Sequence, residues 1–355
     1  ALGLVADVVP LHDENRIFVR HGLVRLRRTP TPGMKALLDT AGLGDKRTLS
    51  ADDVSFRLAP RLNAVGRLGS ARLVIELLTT TSPQRAASLA RYLEGQNVQR
   101  QVFERRILAK ARELVSDCST DGMPALVLAD PEWHPGIVGI VASRLVELYA
   151  RPVLLIALRQ ERPECHAVGQ GSGRSVPGFP LHEALRACGE HLLSHGGHAA
   201  AAGFKIQPEL IDIFRQRFCT YAAQYFQANP LTPRLLVDAE LPLHTLTTGL
   251  VRDLDQLEPY GMDNRRPLFM AAGLQIVGTP KRVGGGERHL SFRVRQQGTT
   301  LRAIAFGMAD RAEELMSAGG ACCLVFTPRL NEWQGFRRVD LEIVDFQAKS
   351  EAHLG

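Results

Sequence analysis

Between Pro230 and Pro233 the chain changes its hydrophobic period, and that change restricts how it can fold. From about residue 124 up to the prolines, short apolar runs alternate with longer stretches of helical spacing. ALVLAD (125–130), PVLLIAL (152–158) and AAGFKI (201–206) read as strands. GIVGIVASRLVELYA (136–150), LHEALRACGEHLL (181–193) and ELIDIFRQRFCTYAAQYF (209–226) read as helices. Strands alternating with helices predict an α/β domain. After the prolines the helical spacing stops. LLVDAEL, GLQIVGTPKRV, HLSFRVRQ, TLRAIAF, CCLVFTPRL and RRVDLEIVDF are short strands with glycine-rich turns between them.

Five or six short strands of this kind predict a small barrel, with an OB-fold the leading candidate for its size and basic strands. Upstream, one helical pattern runs from Pro83 to Val115, with the proline at its first turn. Leu89, Leu93, Phe103, Ile107, Ala111 and Leu114 lie on related faces of it, and its remainder is mostly basic. A narrow apolar stripe on a long helix fits a connector between domains, and the basic remainder reads equally as a solvated face. A shorter helical pattern runs from about Ser70 to Leu78. The opening ALGLVADVVPL reads as a buried segment already under way, so the sequence is expected to start inside a domain.

A chain of 355 residues predicts two or three domains. Six cysteines without CxxC spacing argue against a zinc site or a disulfide framework and fit a reducing cytosol. No apolar run approaches the roughly 18 residues that span a bilayer, so no membrane association is expected. The formal charge of +6 raises the prior for a polyanionic partner.

Four stretches combine glycine with polar or basic residues between apolar elements: PRLNAVGR (60–67), just ahead of a helix; WHPGIVGIVASR (133–144), a strand-to-helix turn; GQGSGRS (169–175), an extended loop; and HGGH (195–198). Glycine lets a backbone approach an anion, a helix N-terminus offers N–H groups, and arginine adds a planar fork of donors. Ser172 and Arg174, two apart in extended chain, point to the same side and could grip one phosphate. Each stretch also has a plain reading, as a tight turn or a structural histidine. Four together favour a phosphate-rich substrate. In the strand-rich region, Lys281, Arg282, Arg288, Arg293, Arg295 and Arg302 face one acidic neighbour, Glu287. Arg293 and Arg295 alternate along one strand face, with Phe292 and Val294 on the other. Such a face can track phosphates, with Trp333 or Phe336 stacking bases; the plain reading puts Phe292 and Trp333 in the core.

VADVVPL, PRLNAVGR, WHPGIVGIVASRL, GSGRS and GGHAAAAGF, in this order, resemble the motif series of RecJ exonucleases, members of the DHH phosphoesterase family. LDQLEPYGMDNRRPLF, LRAIAFGM and NEWQGFRR are similar to the C-terminal region of the same family. The resemblance implies an α/β protein: the end of a DHH catalytic domain (1–80), a long connecting helix (81–118), a small DHH-associated domain with the GGH motif (119–230) and an OB-fold binding single-stranded DNA (231–348). It implies a cytoplasmic 5′→3′ exonuclease of DNA repair and recombination, acting with two Mn²⁺ or Mg²⁺ ions. Single-strand-binding protein and a helicase are its further implied partners. Asp7 matches a metal position, although by itself it reads as a cap. Asp-His-His is absent, so the metal site is expected to lie mostly outside this chain and the chain to be inactive alone. The resemblance sets Asn63 and Arg67 near the cleaved nucleotide, Ser172 and Arg174 at a 5′-phosphate pocket, and His198, as a catalytic residue with Gly196 and Gly197, near the scissile phosphate. His134 and Arg144 are weaker substrate-binding candidates: His134 reads equally as a cap of its turn, and Arg144 as the structural partner of a carboxylate such as Glu147. The rival readings are a DHH phosphoesterase acting on small nucleotides and a non-catalytic single-strand-binding protein.

Overall fold

The structure, a computed structural model, describes residues 1–117, 123–159, 168–230, 234–316, 321–333 and 336–348, without the side chains of Asp117, Arg159 and Trp333. Helices α1 (Leu2–Ala6), α2 (Asp13–Arg27) and α3 (Pro32–Thr40) come first. They are followed by α4 (Ala51–Asp53), a π-helical turn (Val54–Leu58), α5 (Ala59–Leu68), α6 (Arg72–Thr79) and the long α7 (Pro83–Asp117). The alternating region gives β1 (Leu126–Asp130), α8 (Pro135–Tyr149), β2 (Val153–Arg159), β3 (Val168–Arg174), α9 (Leu181–Ala187), β4 (Ser194–Gly197), β5 (Ala201–Ile206) and α10 (Ile211–Ala228). Last come β6 (Ala239–Glu240), α11 (Thr248–Asp255), β7 (Phe269–Val283), β8 (His289–Gln296), β9 (Thr299–Ala305), α12 (Ala312–Met316), β10 (Cys322–Trp333) and β11 (Phe336–Ala348).

The chain divides into two compact units. One holds 29–46 and 56–233; the other holds 1–28, 47–55 and 234–355. In the first, β1 to β5 form a mixed sheet in the order β1-β2-β3-β5-β4, with β1 and β2 parallel and the other pairs antiparallel. Both faces of β2 are buried, as its unbroken apolar run requires. Leu154 and Ile156 pack with α9 and α10, and Val153, Leu155 and Ala157 pack with α7 and α8. Helix α7 spans about 52 Å at 1.5 Å per residue. Its buried stripe runs Ala86, Leu89, Ala90, Leu93, Asn97, Glu104, Ile107, Ala111, Val115, so it is apolar at both ends and polar in the middle. The first part packs on α3 and α5 and the last part on α8.

Several sequence expectations are corrected. PRLNAVGR lies inside α5 and not ahead of a helix. GQGSGR is the third strand of the sheet, not a loop. The helix expected over 181–193 ends at Ala187 and is followed by a 3₁₀ turn, Gly189–His191. LLVDAEL contributes only the two residues of β6. The opening segment is a short helix with Val5 and Leu11 buried and Val8 exposed.

In the second unit, β7, β8, β9, β11 and β10 pair in turn, and β10 returns to β7, which closes the barrel. The pair β9–β11 is parallel and the rest are antiparallel. A five-stranded closed barrel with α12 between its third and fourth strands is an OB-fold. Phe292, Val294, Leu324, Phe326, Leu341 and Ile343 fill its core. LDQLEPYGMDNRRPLF forms a knitted loop before β7. Arg266 bonds Asp255 and Glu258 and lies over the Tyr260 ring, and Leu11 N–H donates to Met262 O. Among the described residues no helix is long and apolar enough to cross a membrane.

Candidate anion-binding site

On β3 the alternation of the strand divides the labour between two faces. Gly169, Gly171 and Gly173 face the α9/α10 core, where a Cβ would overlap side chains: 2.8 Å from Ile156 and Ile206, 2.2 Å from the Phe204 ring, and 2.5 Å from Leu154 respectively. These glycines make room for apolar packing, not for a phosphate, which corrects the sequence reading. Ser172 and Arg174 lie on the opposite face, against α8. A Cβ on Gly139 would sit 3.1 Å from Arg174 Nη2 and 3.6 Å from Ser172 Cβ. Gly139 therefore lets the guanidinium lie against the helix.

The start of α8 is capped from within. His134 Nδ1 accepts from Gly136 N–H at 3.1 Å, and His134 O accepts from the amides of Ile137 and Val138. The donors expected to meet an anion there are used by the turn, which fixes His134 as a cap. What faces outward is an arginine brought by α5: Arg67 Nη1 donates to Gly136 O at 2.9 Å. The close approach of the two helices needs Gly136, whose Cβ would stand 2.8 Å from Arg67 O. Asn63, one turn earlier, shares the exposed face of Arg67.

Arg67 and Arg174 repel one another. The pKa of Arg174 is lowered by burial and then by Arg67. That of Arg67 is lowered by burial and then by Arg100, with Glu104 opposing. An anion between two such cations relieves both penalties. Behind them stands Glu104, whose side chain is 3% exposed on α7; its carboxylate meets Arg100 at 2.8 Å and Arg144 at 2.6 Å. Arg144 thus pairs with Glu104 and not with Glu147, and Arg100 also reaches Asn97 at 3.2 Å. Sequence reasoning missed Gly136, Gly139, Arg100 and Glu104; the three-residue spacing of Gly136 and Gly139 on one face of α8 was the available signal.

Level with Ser172, the register runs Ser172–Gly203–Gly196 across β3, β5 and β4, so Gly196 lies about 10 Å from Ser172 at ~4.8 Å per strand. Gly203 and Gly196 are exposed and have no atom within 3.4 Å of a notional Cβ, which makes a bare floor leading to the GGH edge. Gly197 holds φ +144° and turns the chain into His198. The His198 amide donates to Ala201 O at 2.9 Å, and its Nδ1 accepts from Ala200 N–H at 3.3 Å. Its other ring nitrogen then carries the proton and is exposed to solvent.

In the second unit Asp7 is an exposed C-cap of α1, as its sequence reading without the resemblance would have it. Among the described residues no three His, Cys, Asp or Glu side chains gather as a metal site. The residues present do not fit a two-metal centre. Arg293 and Arg295 are exposed on β8, and Phe292 is core. Phe336 is 80% exposed; the Trp333 side chain lies outside the described residues.

An α/β module that sets Ser172 and Arg174 on one strand face near Arg67, followed along the chain by a closed barrel of the OB type, defines the class of fold. The DHHA1 domain family matches residues 122–224 and the RecJ OB domain family residues 237–345. The single-stranded-DNA-specific exonuclease RecJ of Bacillus subtilis is 32% identical over 97% of this chain and 43% of its own length. That of Thermus thermophilus is 36% identical over 100% of this chain and 48% of its own. The crystal structure of Thermus thermophilus RecJ with Mg²⁺ superposes with a TM-score of 0.83 at 35% identity, over 99% of this chain and 52% of that one. The chain belongs to the RecJ family, and it spans about half the length of these relatives.

Proposed function

We propose that the protein serves a 5′→3′ exonuclease specific for single-stranded DNA, in repair and recombination, hydrolysing phosphodiester bonds with Mn²⁺ or Mg²⁺. The observation that carries this reading is Arg174 beside Ser172 on the α8 side of the sheet, with Arg67 near enough to lower its pKa: two partly buried cations close to one another. In this reading Ser172, Arg174 and Arg67 hold the 5′-terminal phosphate, and Asn63 lies beside the terminal nucleotide. The strand then crosses the glycine floor to Gly196 and Gly197, where His198 donates its exposed ring N–H to a phosphate oxygen. His134 acts through the turn it caps. Arg293 and Arg295 track phosphates on the barrel.

The metal ions supply water activation and phosphate polarisation. Their site draws on Asp7 alone from this chain, so no hydrolytic step is derived from these residues. The relatives are named for single-stranded DNA, and similar structures hold Mg²⁺ or Mn²⁺. The domain limits 1–80, 81–118, 119–230 and 231–348, a cytoplasmic location, and single-strand-binding protein and a helicase as partners belong to the same proposal. The strand-rich region argues against a small-nucleotide substrate, which has little need of a barrel.

The test is binding, which needs no metal. The chain is titrated with 5′-phosphorylated and 5′-hydroxyl single-stranded oligonucleotides. The phosphorylated strand is expected to bind more tightly, and Arg174→Ala to remove that preference, about tenfold or more for charge-assisted hydrogen bonds. Equal loss on both strands would overturn the assignment.

A further inference from the structure

We propose that Phe306, braced by His289, is a nucleobase-stacking site at one end of the basic face of the barrel; this rests on the barrel being the single-strand-binding module. The register fixes the place. Leu290 pairs with Ala305, the last residue of β9, so Phe306 follows directly in the turn and its ring meets His289, the first residue of β8. Residues 289, 291, 293 and 295 share the outer face of β8, because Leu290, Phe292 and Val294 fill the core. Along that face the rungs are Ser291 with Lys281, Arg293 with Arg302, and Arg295 with Thr300, and at the His289 end the Phe306 ring, in the turn just after β9, lies against the imidazole. Rungs two residues apart rise by about 7 Å. One end of a basic strip therefore carries an aromatic pair.

The aromatic pair is built and held. The rings of His289 and Phe306 meet edge to face, 5.2 Å apart at 74°. His289 Nδ1 accepts from Gly307 N–H at 2.9 Å, which fixes the imidazole on the chain just after the phenylalanine. On its other side the imidazole lies under the β7–β8 hairpin: a Cβ on Gly284, at φ +84°, would stand 2.6 Å from the ring. Phe306 itself is 55% exposed. An apolar ring held rigidly in solvent costs free energy unless something covers it, and its neighbours select the cover. Lys281, Arg282 and Arg288 around the hairpin are exposed cations. That combination repels a basic or purely apolar partner and fits a polyanion that also presents flat π-faces, which is single-stranded nucleic acid. Arg293 and Arg295 would hold phosphates further along the same strand. Because every base has a π-face, the site is tolerant of sequence.

The test uses the 355-residue chain, fluorescence-labelled oligothymidylate, and an oligonucleotide of equal length in which abasic spacers replace the bases. Three proteins are compared: wild type, Phe306→Leu, and Arg293→Glu with Arg295→Glu. Phe306 is exposed, so the leucine variant keeps its fold, and its thermal midpoint verifies this. Wild type is expected to prefer the base-bearing strand. Phe306→Leu should bind that strand about fivefold or more weakly, bind the abasic strand as wild type does, and keep the salt dependence of wild type. The double charge reversal should weaken binding to both strands and flatten the salt dependence. If Phe306→Leu binds the base-bearing strand as wild type does, or loses equally on both strands, the stacking site is wrong while the barrel can still bind phosphates. If the double charge reversal leaves binding unchanged, the barrel reading fails and the stacking site falls with it.

Discussion

Glu104 shows how much a single residue of α7 carries. It is a nearly buried carboxylate between Arg100 and Arg144, in the polar middle of the helix stripe. Removing Glu104 leaves Arg100 unpaired in a nearly buried place while Arg144, its side chain 51% exposed, keeps its water, so the cost is about 1–3 kcal/mol, that of lost hydrogen bonds to a charged group. Glu104→Ala is therefore expected to lower the urea midpoint by that much stability, whereas leucine at both 100 and 104 should cost far less. A Glu104→Ala loss below ~1 kcal/mol would show that water already serves these arginines. Little of this was legible in the sequence. Among seven basic and three acidic residues between 83 and 115, Glu104 looks like any surface charge. Arg144 has a carboxylate three residues on, at Glu147, yet packing selects one forty residues away. Ser172 and Arg174 were legible, because strand alternation puts i and i+2 on one side whatever the tertiary fold.

At the scale of elements, periodicity succeeded where it was long and failed where glycine replaced it. Helix α7 followed from its pattern, and so did β1, β2 and β5 within a residue or two. GQGSGR carries no apolar signal, because its buried side is made of glycines whose missing side chains are supplied by Phe204, Leu154 and Ile206. Strand β4, Ser194–Gly197, has no β-branched residue, and its sequence reads as a glycine-rich loop instead of a strand. The packing account makes a prediction. Gly171→Ala drives a methyl into the Phe204 ring and should cost about 1–3 kcal/mol in thermal denaturation. Gly196→Ala meets no atom within 4 Å and should stay within ~0.5 kcal/mol. If both glycines tolerate alanine alike, the glycines of β3 are there for some other reason. Phe204→Leu should rescue Gly171→Ala by freeing the space the methyl needs.

For the molecule as a whole, the ligand set matters more than the +6 charge. With Asp7 as its one carboxylate at an expected metal position, the purified 355-residue chain should release no nucleotides from single-stranded DNA with Mn²⁺ or Mg²⁺. Acid-soluble product that requires the metal and disappears in Asp7→Ala would overturn this. The order of modules was readable from the change of period at Pro230, but the circuit of strands that closes the barrel was not, since pairing between β7 and β10 joins residues some fifty apart. That closure bears on how the protein behaves in concentrated solution. Among the described residues the barrel offers no free margin apart from the two-residue β6, so unpaired main-chain edges belong to β1 and β4 of the other sheet. An open edge invites another chain to add a strand and seed a fibril. Strand β4 is four residues long and half glycine, too short and too weak a β-former to template such growth. The same glycines that leave a bare floor beside Ser172 are what keep neighbouring molecules from stacking on it.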